Sequence, residues 1–436
     1  MKKNYLPRSV KAALVAMTLS GSVHASPLTL KQTVMFALDN SPAGQKGAIE
    51  KTIATRNVDT NYYTFFPQAG LTAQHGFKRS QPEIEGEQSS PWVSSLRLSL
   101  TENIYNNGKD EANYDLALLQ QDLVNEQNER IQADLTLAVV EAFYDLSLKI
   151  ADEKIVADNL LLLRKQLKTM EAYYRQGLKE KNAYLRIRSQ VQRAVLEHKA
   201  AQDDVIKASN ALKALMGNVP ADTEFAVLEP KSLEAEYTAA RSPALENHYE
   251  THENRILGQI ADKSIEVTKK ENGLIVSLGA DLGYGSSQYM GTGDRFDEND
   301  RADWSVVLEL NYPLWDWGTY RRNIANKVSE REKVRLSAAE KDLELKKRLE
   351  DLRIDYGRSI ETFRLNTELL RLEQESFDLL QREYRLGKIS YIDLITSFET
   401  LFSARSAYTA SYFAVMRNHA RSLYHDRGLY DWVKKI

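Results

Sequence analysis

The stretch Tyr174-Arg175-Gln176-Gly177 returns 210 positions later as Tyr384-Arg385-Leu386-Gly387. The pair Asn107-Gly108, which closes a strand-like run, returns as Trp317-Gly318 at the same offset. Two landmarks that keep one spacing across about seventy residues mark a duplicated unit, and the period is far too long for a solenoid. Each copy is therefore a whole subassembly, 26–230 and 231–436, and working out what one copy builds gives the role of the chain.

Outward from the first landmark, residues 110–176 form a helical stretch without proline or glycine. Leu160, Leu163, Leu167, Met170 and Tyr174 step along it by three and four, as coiled-coil seams do. Gly177 breaks it, and a shorter helix follows from about 182 to 216, ended by Gly217 and Pro220. Upstream, 28–64 reads as a helix bent at Ser41-Pro42. Between these helices the period changes to two. Leu71, Ala73, His75 and Phe77 alternate with polar or small residues, and so do Leu96, Leu98 and Leu100, which predicts strands at about 68–78 and 92–104. The second copy repeats the order: a helix over about 233–270 with Ser242-Pro243 in the bend, strands at about 274–286 and 302–312, a long helix over 318–386 and a shorter one over 390–424.

The lengths fit together. Each long helix reaches about 100 Å and each short one about half of that, so two short helices stacked end to end match one long helix in both copies. Each strand has the length that spans a bilayer when tilted, with one apolar and one polar face. The same pattern suits a soluble sandwich with one buried face. Four strands, however, cannot close a barrel, and open edges are not tolerated in lipid, so membrane strands require several chains to share one barrel.

Residues 1–25 read as a secretory signal, with Lys2, Lys3, Arg8 and Lys11 as the basic flank, an apolar run over 12–19 and a small-x-small site at Val23-His24-Ala25. The formal net charge is −3, and loss of those four cations takes it to about −7, which argues against nucleic acid as a partner. There is no cysteine, so disulfides, thiolate catalysis, a cysteine-based zinc site and lipidation of an N-terminal cysteine are excluded. No later stretch has eighteen apolar residues in a row, as a spanning helix would need. An exported chain of this kind is periplasmic, extracellular, or in the outer membrane as strands.

Along essentially its whole mature length the chain resembles the TolC-like outer-membrane efflux proteins. The carrying features are Leu28 to Ala37 followed by Asn40-Ser41-Pro42, the strand-to-helix junction Leu314-Trp315-Asp316-Trp317-Gly318, the two hairpin-tip motifs, and Ile389 to Leu394 after the second. The resemblance implies a mainly helical protein with a membrane β-barrel: a homotrimer whose twelve strands form one outer-membrane barrel continued by a long α-helical barrel across the periplasm. It implies a passive channel for efflux or type I secretion that docks by its tips on a periplasmic adaptor of an inner-membrane transporter. It also implies roles for residues. Asp393 falls on the family's tip aspartate, where three carboxylates around the axis would favour cations, and Thr396 stands one turn on, where some members have a second acid. Tyr174, Arg175, Gly177, Tyr384, Arg385 and Gly387 become the adaptor-facing tips. Ile389 stands where some members carry the basic half of a closing latch, with Asn182 and Ala183 at the matching first-copy positions, so that latch is missing its charges.

Asp393 also suits a first-turn acid stabilised by the helix dipole. His248 and His252 have zinc-ligand spacing beside Glu253, but Tyr249 stands where a metalloprotease has its glutamate, and a solvated helix face is the expected reading. Asp294, Asp297, Asp300 and Asp303 lack the glycine of a calcium loop and read as an external loop. Trp315 and Trp317 suit an interfacial aromatic belt or packing at the barrel–helix junction. No nucleophile–base pair or phosphate loop occurs, so neither an enzyme nor a cofactor is expected. The alternative to a channel is a non-conducting periplasmic or surface coiled-coil scaffold, which has no need of four bilayer-length strands.

Overall fold

A computed structural model of the chain describes residues 27–77, 92–178, 180–220, 222–234, 237, 245–287 and 300–436. Two short helices, α1 (Leu30–Asn40) and α2 (Pro42–Tyr63), lead into strands β1 (Gln68–Phe77) and β2 (Trp92–Asn106). The long helix α3 (Lys109–Arg175) and the shorter α4 (Lys181–Met216) complete the first copy. The second copy has a 3₁₀ turn (Leu245–Asn247), α5 (Tyr249–Lys270), β3 (Ile275–Ser287), β4 (Asp300–Asn311), α6 (Thr319–Arg385), α7 (Tyr391–His425) and α8 (Leu429–Lys435). The signal segment, Ser242-Pro243 and Asp294 and Asp297 lie outside the described residues.

The junctions follow from local chemistry. Ser41 precedes a proline, which excludes it from the helical region. It is extended (φ −70°, ψ 144°), ends α1, and caps α2 by accepting a hydrogen bond from the Gly44 amide at 3.1 Å. Both long helices start from a pair of left-handed residues, Asn107 (φ 59°) with Gly108 (φ 73°), and Trp317 (φ 57°) with Gly318 (φ 77°). They end on Gly177 (φ 71°) and Gly387 (φ 73°), where side chains are disfavoured. The Leu178 amide donates to the Tyr173 carbonyl at 2.9 Å, and the Lys388 amide to the Glu383 carbonyl at 3.0 Å, the same six-residue closure in each copy. The duplication is thus conformational as well as sequential.

Of the helix expected over about 233–270, the described residues show helical Tyr237 and then α5, which extended His248 (ψ 144°) caps, its Nδ1 accepting from the Glu250 amide at 3.2 Å. His248 is buried and stacked on His425 (ring centroids 5.0 Å), so the solvated helix face expected there is not what the chain builds. The terminal helix α8 was not anticipated. Its Leu429, Trp432 and Val433 are buried in the main core.

Along the rod, α2 and α4 both pack on α3, and α5 and α7 both pack on α6. The main core sits at mid-rod, where Phe143 and Tyr144 of α3 meet Leu212 of α4, Tyr356 of α6, Phe413 of α7 and Trp432 of α8. The Tyr356 hydroxyl donates to the Tyr237 carbonyl at 3.1 Å and lies 2.9 Å from His419 Nδ1, so this buried hydroxyl is fully engaged. A parallel bridge from Leu28 to Phe225 ties the start of the first copy to its end.

Candidate functional site

Two regions set what the molecule can do: the sheet at one end and the hairpin tips at the other. The sheet is antiparallel in the order β1-β2-β3-β4. Rows run straight across it, for example Leu71–Leu98–Leu282–Trp304 and Thr72–Arg97–Gly283–Asp303 on opposite faces. The first face is apolar and uncovered; Trp304 is 77% exposed and Leu71 69%. A soluble sheet would bury such a face. Among the described residues β1 and β4 have no further strand partner, so both edges are open. Trp315 and Trp317 lie exposed below β4, edge to face at 5.8 Å.

At the tips the two hairpins are joined. Ile395 of α7 is buried among Leu160, Leu163, Met170 and Ile187 of the first hairpin, while Leu162 of α3 packs against Phe377, Leu394, Phe398 and Leu401. Tyr384 belongs to this second cluster and burial raises its hydroxyl pKa, whereas Tyr174 is exposed and stacks flat on Tyr184 at 5.4 Å. Arg175 pairs with Glu171 at 2.5 Å, and Arg385 reaches Gln381 at 3.4 Å. Gly177 and Gly387 face open space, and beside them Leu178 and Leu386 are exposed. The two copies therefore present one bare leucine each, after the glycine in one and before it in the other.

Asp393 occupies the third position of α7. Its carboxylate accepts from the Ser390 amide at 3.1 Å and the Ser390 hydroxyl at 2.7 Å, and its own amide donates to that hydroxyl at 3.2 Å. This is a capping box, so the sequence-based reading of a first-turn acid describes its local role. Its side chain is nevertheless exposed, as is Thr396 one turn on, so both share a solvent-facing strip at the tip. Ile389 is half-buried against the second cluster. The tyrosine stack escaped sequence reasoning, although a ten-residue step across a two-helix turn is a signal that could have found it. Among the described residues no His, Cys, Asp and Glu group could hold a metal ion, and no helix is long and apolar enough to cross a membrane.

A helical rod carrying an amphipathic, open-edged sheet is the architecture of an outer-membrane channel protomer. The outer membrane efflux protein family model matches residues 35–218 and 240–412, and the chain belongs to that family. It is similar in structure to the CmeC outer membrane channel of Campylobacter jejuni (TM-score 0.77, 13% identity, 92% of this chain and 86% of that one). The same holds for the outer membrane protein VceC of Vibrio cholerae (TM-score 0.73, 16% identity, 90% and 95%) and the open-state MtrE outer membrane channel of Neisseria gonorrhoeae (TM-score 0.70, 15% identity, 92% and 89%). No curated protein sequence matches the chain. The protein is an outer-membrane protein extending into the periplasm, of a family of channels and not of enzymes.

Proposed function

We propose that the protein is a homotrimeric, passive export conduit, cleaved after Ala25, whose two repeats (26–230 and 231–436) each give two strands to a shared twelve-stranded barrel. The observation that carries this reading is the sheet: four bilayer-length strands with an uncovered apolar face and two open edges. In lipid those edges must be satisfied, and three copies supply the closure. The helices then continue the barrel as a periplasmic tunnel. Its tips, with Tyr174, Arg175, Gly177, Arg385 and Gly387 outermost and Tyr384 bracing them from behind, dock on a periplasmic adaptor of an inner-membrane transporter that supplies the energy. Asp393 and Thr396 line the narrowing at the tip, where three carboxylates would favour cations.

Heat-modifiable trimers in the outer-membrane fraction, forming pores in planar bilayers, are expected; a soluble periplasmic monomer would sink the reading. For the tip, Asp393→Asn removes the charge and keeps an oxygen to accept from Ser390, so the helix cap persists. Higher single-channel conductance and weaker block by multivalent cations are expected. Unchanged conductance and block would take Asp393 out of the pore.

A further inference from the structure

The polar face of the sheet holds a second charged device, far from the tips. In β3 this face reads Ser277, Gly279, Asp281, Gly283, Gly285, Ser287, so Asp281 is the single large side chain on a nearly bare strip. Arg97 reaches over from β2, with Nη1 3.9 Å from Asp281 Oδ1 and Nη2 3.8 Å from Asp303 Oδ2 of β4. Arg97, Gly283 and Asp303 stand on one cross-strand row. The absence of a side chain at Gly283 is what admits this arrangement, because a Cβ there would lie 2.2 Å from Asp303 Oδ1. The contacts are too long for hydrogen bonds and the groups are partly exposed, so these are screened charges poised over an open surface and not a stability device.

The opposite face is apolar and uncovered, so in a membrane barrel it meets lipid and the Arg97 face meets the lumen. We propose that Arg97, Asp281 and Asp303 form an ion-selectivity ring inside the outer-membrane barrel, in which Arg97 sets how much negative charge a passing solute meets. One cation against two carboxylates leaves one net negative charge per chain and three per trimer, and removal of Arg97 doubles that. By register two more charges share this face, Arg301 opposite Gly285 and Glu309 two rows from Ser305, which pairs with Asp281, and they offset each other. The ring therefore favours cations and repels multivalent anions, and acts in series with any filter at the tips. This rests on the channel reading.

The test is the reversal potential of purified trimers in planar bilayers under a KCl gradient. It is run at low salt, since the field of a charge reaches about 30 Å at 0.01 M but only about 10 Å at 0.1 M, and in the Asp393→Asn background to silence the tip. Arg97→Gln is expected to raise the K⁺/Cl⁻ permeability ratio several-fold, Arg97→Lys to keep it, and Asp281→Asn with Asp303→Asn to lower it toward unity. If Arg97→Gln impairs assembly, Asp303→Asn alone must still lower the ratio. Pores whose ratio ignores all of these substitutions would overturn the ring and leave the channel standing, whereas no pores from the unsubstituted protein would overturn both.

Discussion

The two long helices differ more than their shared boundaries suggest. Both α3 and α6 have 67 residues, both start from a left-handed residue pair and both end on a left-handed glycine. Yet α3 buries fifteen side chains and touches helices of both copies, while α6 buries only six. On α6, Leu336, Leu343, Ile354, Leu365, Leu372 and Leu379 are all exposed, and they step by 7 and 11, repeats that hold one helix face. Four ion pairs flank that stripe, Glu332–Arg335, Glu350–Arg353, Glu361–Arg364 and Glu368–Arg371, each glutamate four residues before a stripe residue. Such a seam, apolar with charged margins, is what a helix presents to a partner. Duplication thus supplied one helix that builds the inside of the chain and another that keeps an apolar stripe on its surface.

The comparison breaks most visibly at the stripe. Leu343→Glu with Leu372→Glu is expected to abolish the trimer while leaving the helical circular dichroism of the chain intact; stable trimers on light scattering in detergent would mean that the stripe faces something else. Truncation separates the helices next. Phe143→Ala on α3 should cost about 3–5 kcal/mol of chain stability, as large core truncations do, whereas Leu343→Ala, 68% exposed, should cost the isolated chain well under 1 kcal/mol on the scale of surface changes. Equal denaturant midpoints for the two variants would erase the distinction.

Where α5 and α7 both meet α3, the stacked pair His248 and His425 gives a smaller, pH-dependent effect. Burial, then His248 and Arg348, push the His425 imidazole down to about 4, and burial lowers His248 too. A base whose folded pKa is depressed binds fewer protons than the unfolded chain, so its neutral form costs stability as pH falls from about 6.5 toward 4. Glu253 opposes this, since burial raises its carboxyl pKa despite Arg130 at 2.9 Å. Melting scans should therefore compare the protein with His425→Asn, the variant losing less stability across that window, by on the order of 1–2 kcal/mol after allowance for partial exposure. Parallel curves would show that the pair is not coupled to folding. The smallest effect tests the symmetry itself: Gly177→Ala and Gly387→Ala meet no atoms, so each should cost only the left-handed strain of about 1–2 kcal/mol per residue, and by equal amounts. Unequal costs would mean that one tip bears contacts which the other lacks.

Much of this was legible in the sequence because it rests on local periodicity. The two-residue alternation placed all four strands within about two residues, and glycine placed both hairpin turns. The cap at His248 was not legible because histidine lies outside the usual capping set and is held there by stacking on His425. The same burial misled the reading of His248 as solvated: the rings that cover it, Tyr424 and His425, lie more than 170 positions away, and periodicity carries no such information. The tip was legible in its glycines but not in its asymmetry, since Tyr384 and Tyr174 share a motif while one is packed and the other exposed. Why Trp317 should be the residue in the left-handed position that Asn107 fills in the first copy has no evident structural reason.

The sheet order carries a further consequence, for the sequence of events by which the chain matures. Its central pairing joins Leu98 to Leu282, 184 positions later, across the whole of α3, α4 and α5. Contacts that distant are slow to form, because the intervening chain must be closed first, whereas helix hairpins zip locally. Each newly exported chain should therefore acquire its rods early and its strand pairing late. The apolar strands then stay unpaired while a chain crosses the periplasm, which is when a holding chaperone would matter most and when premature aggregation competes with insertion.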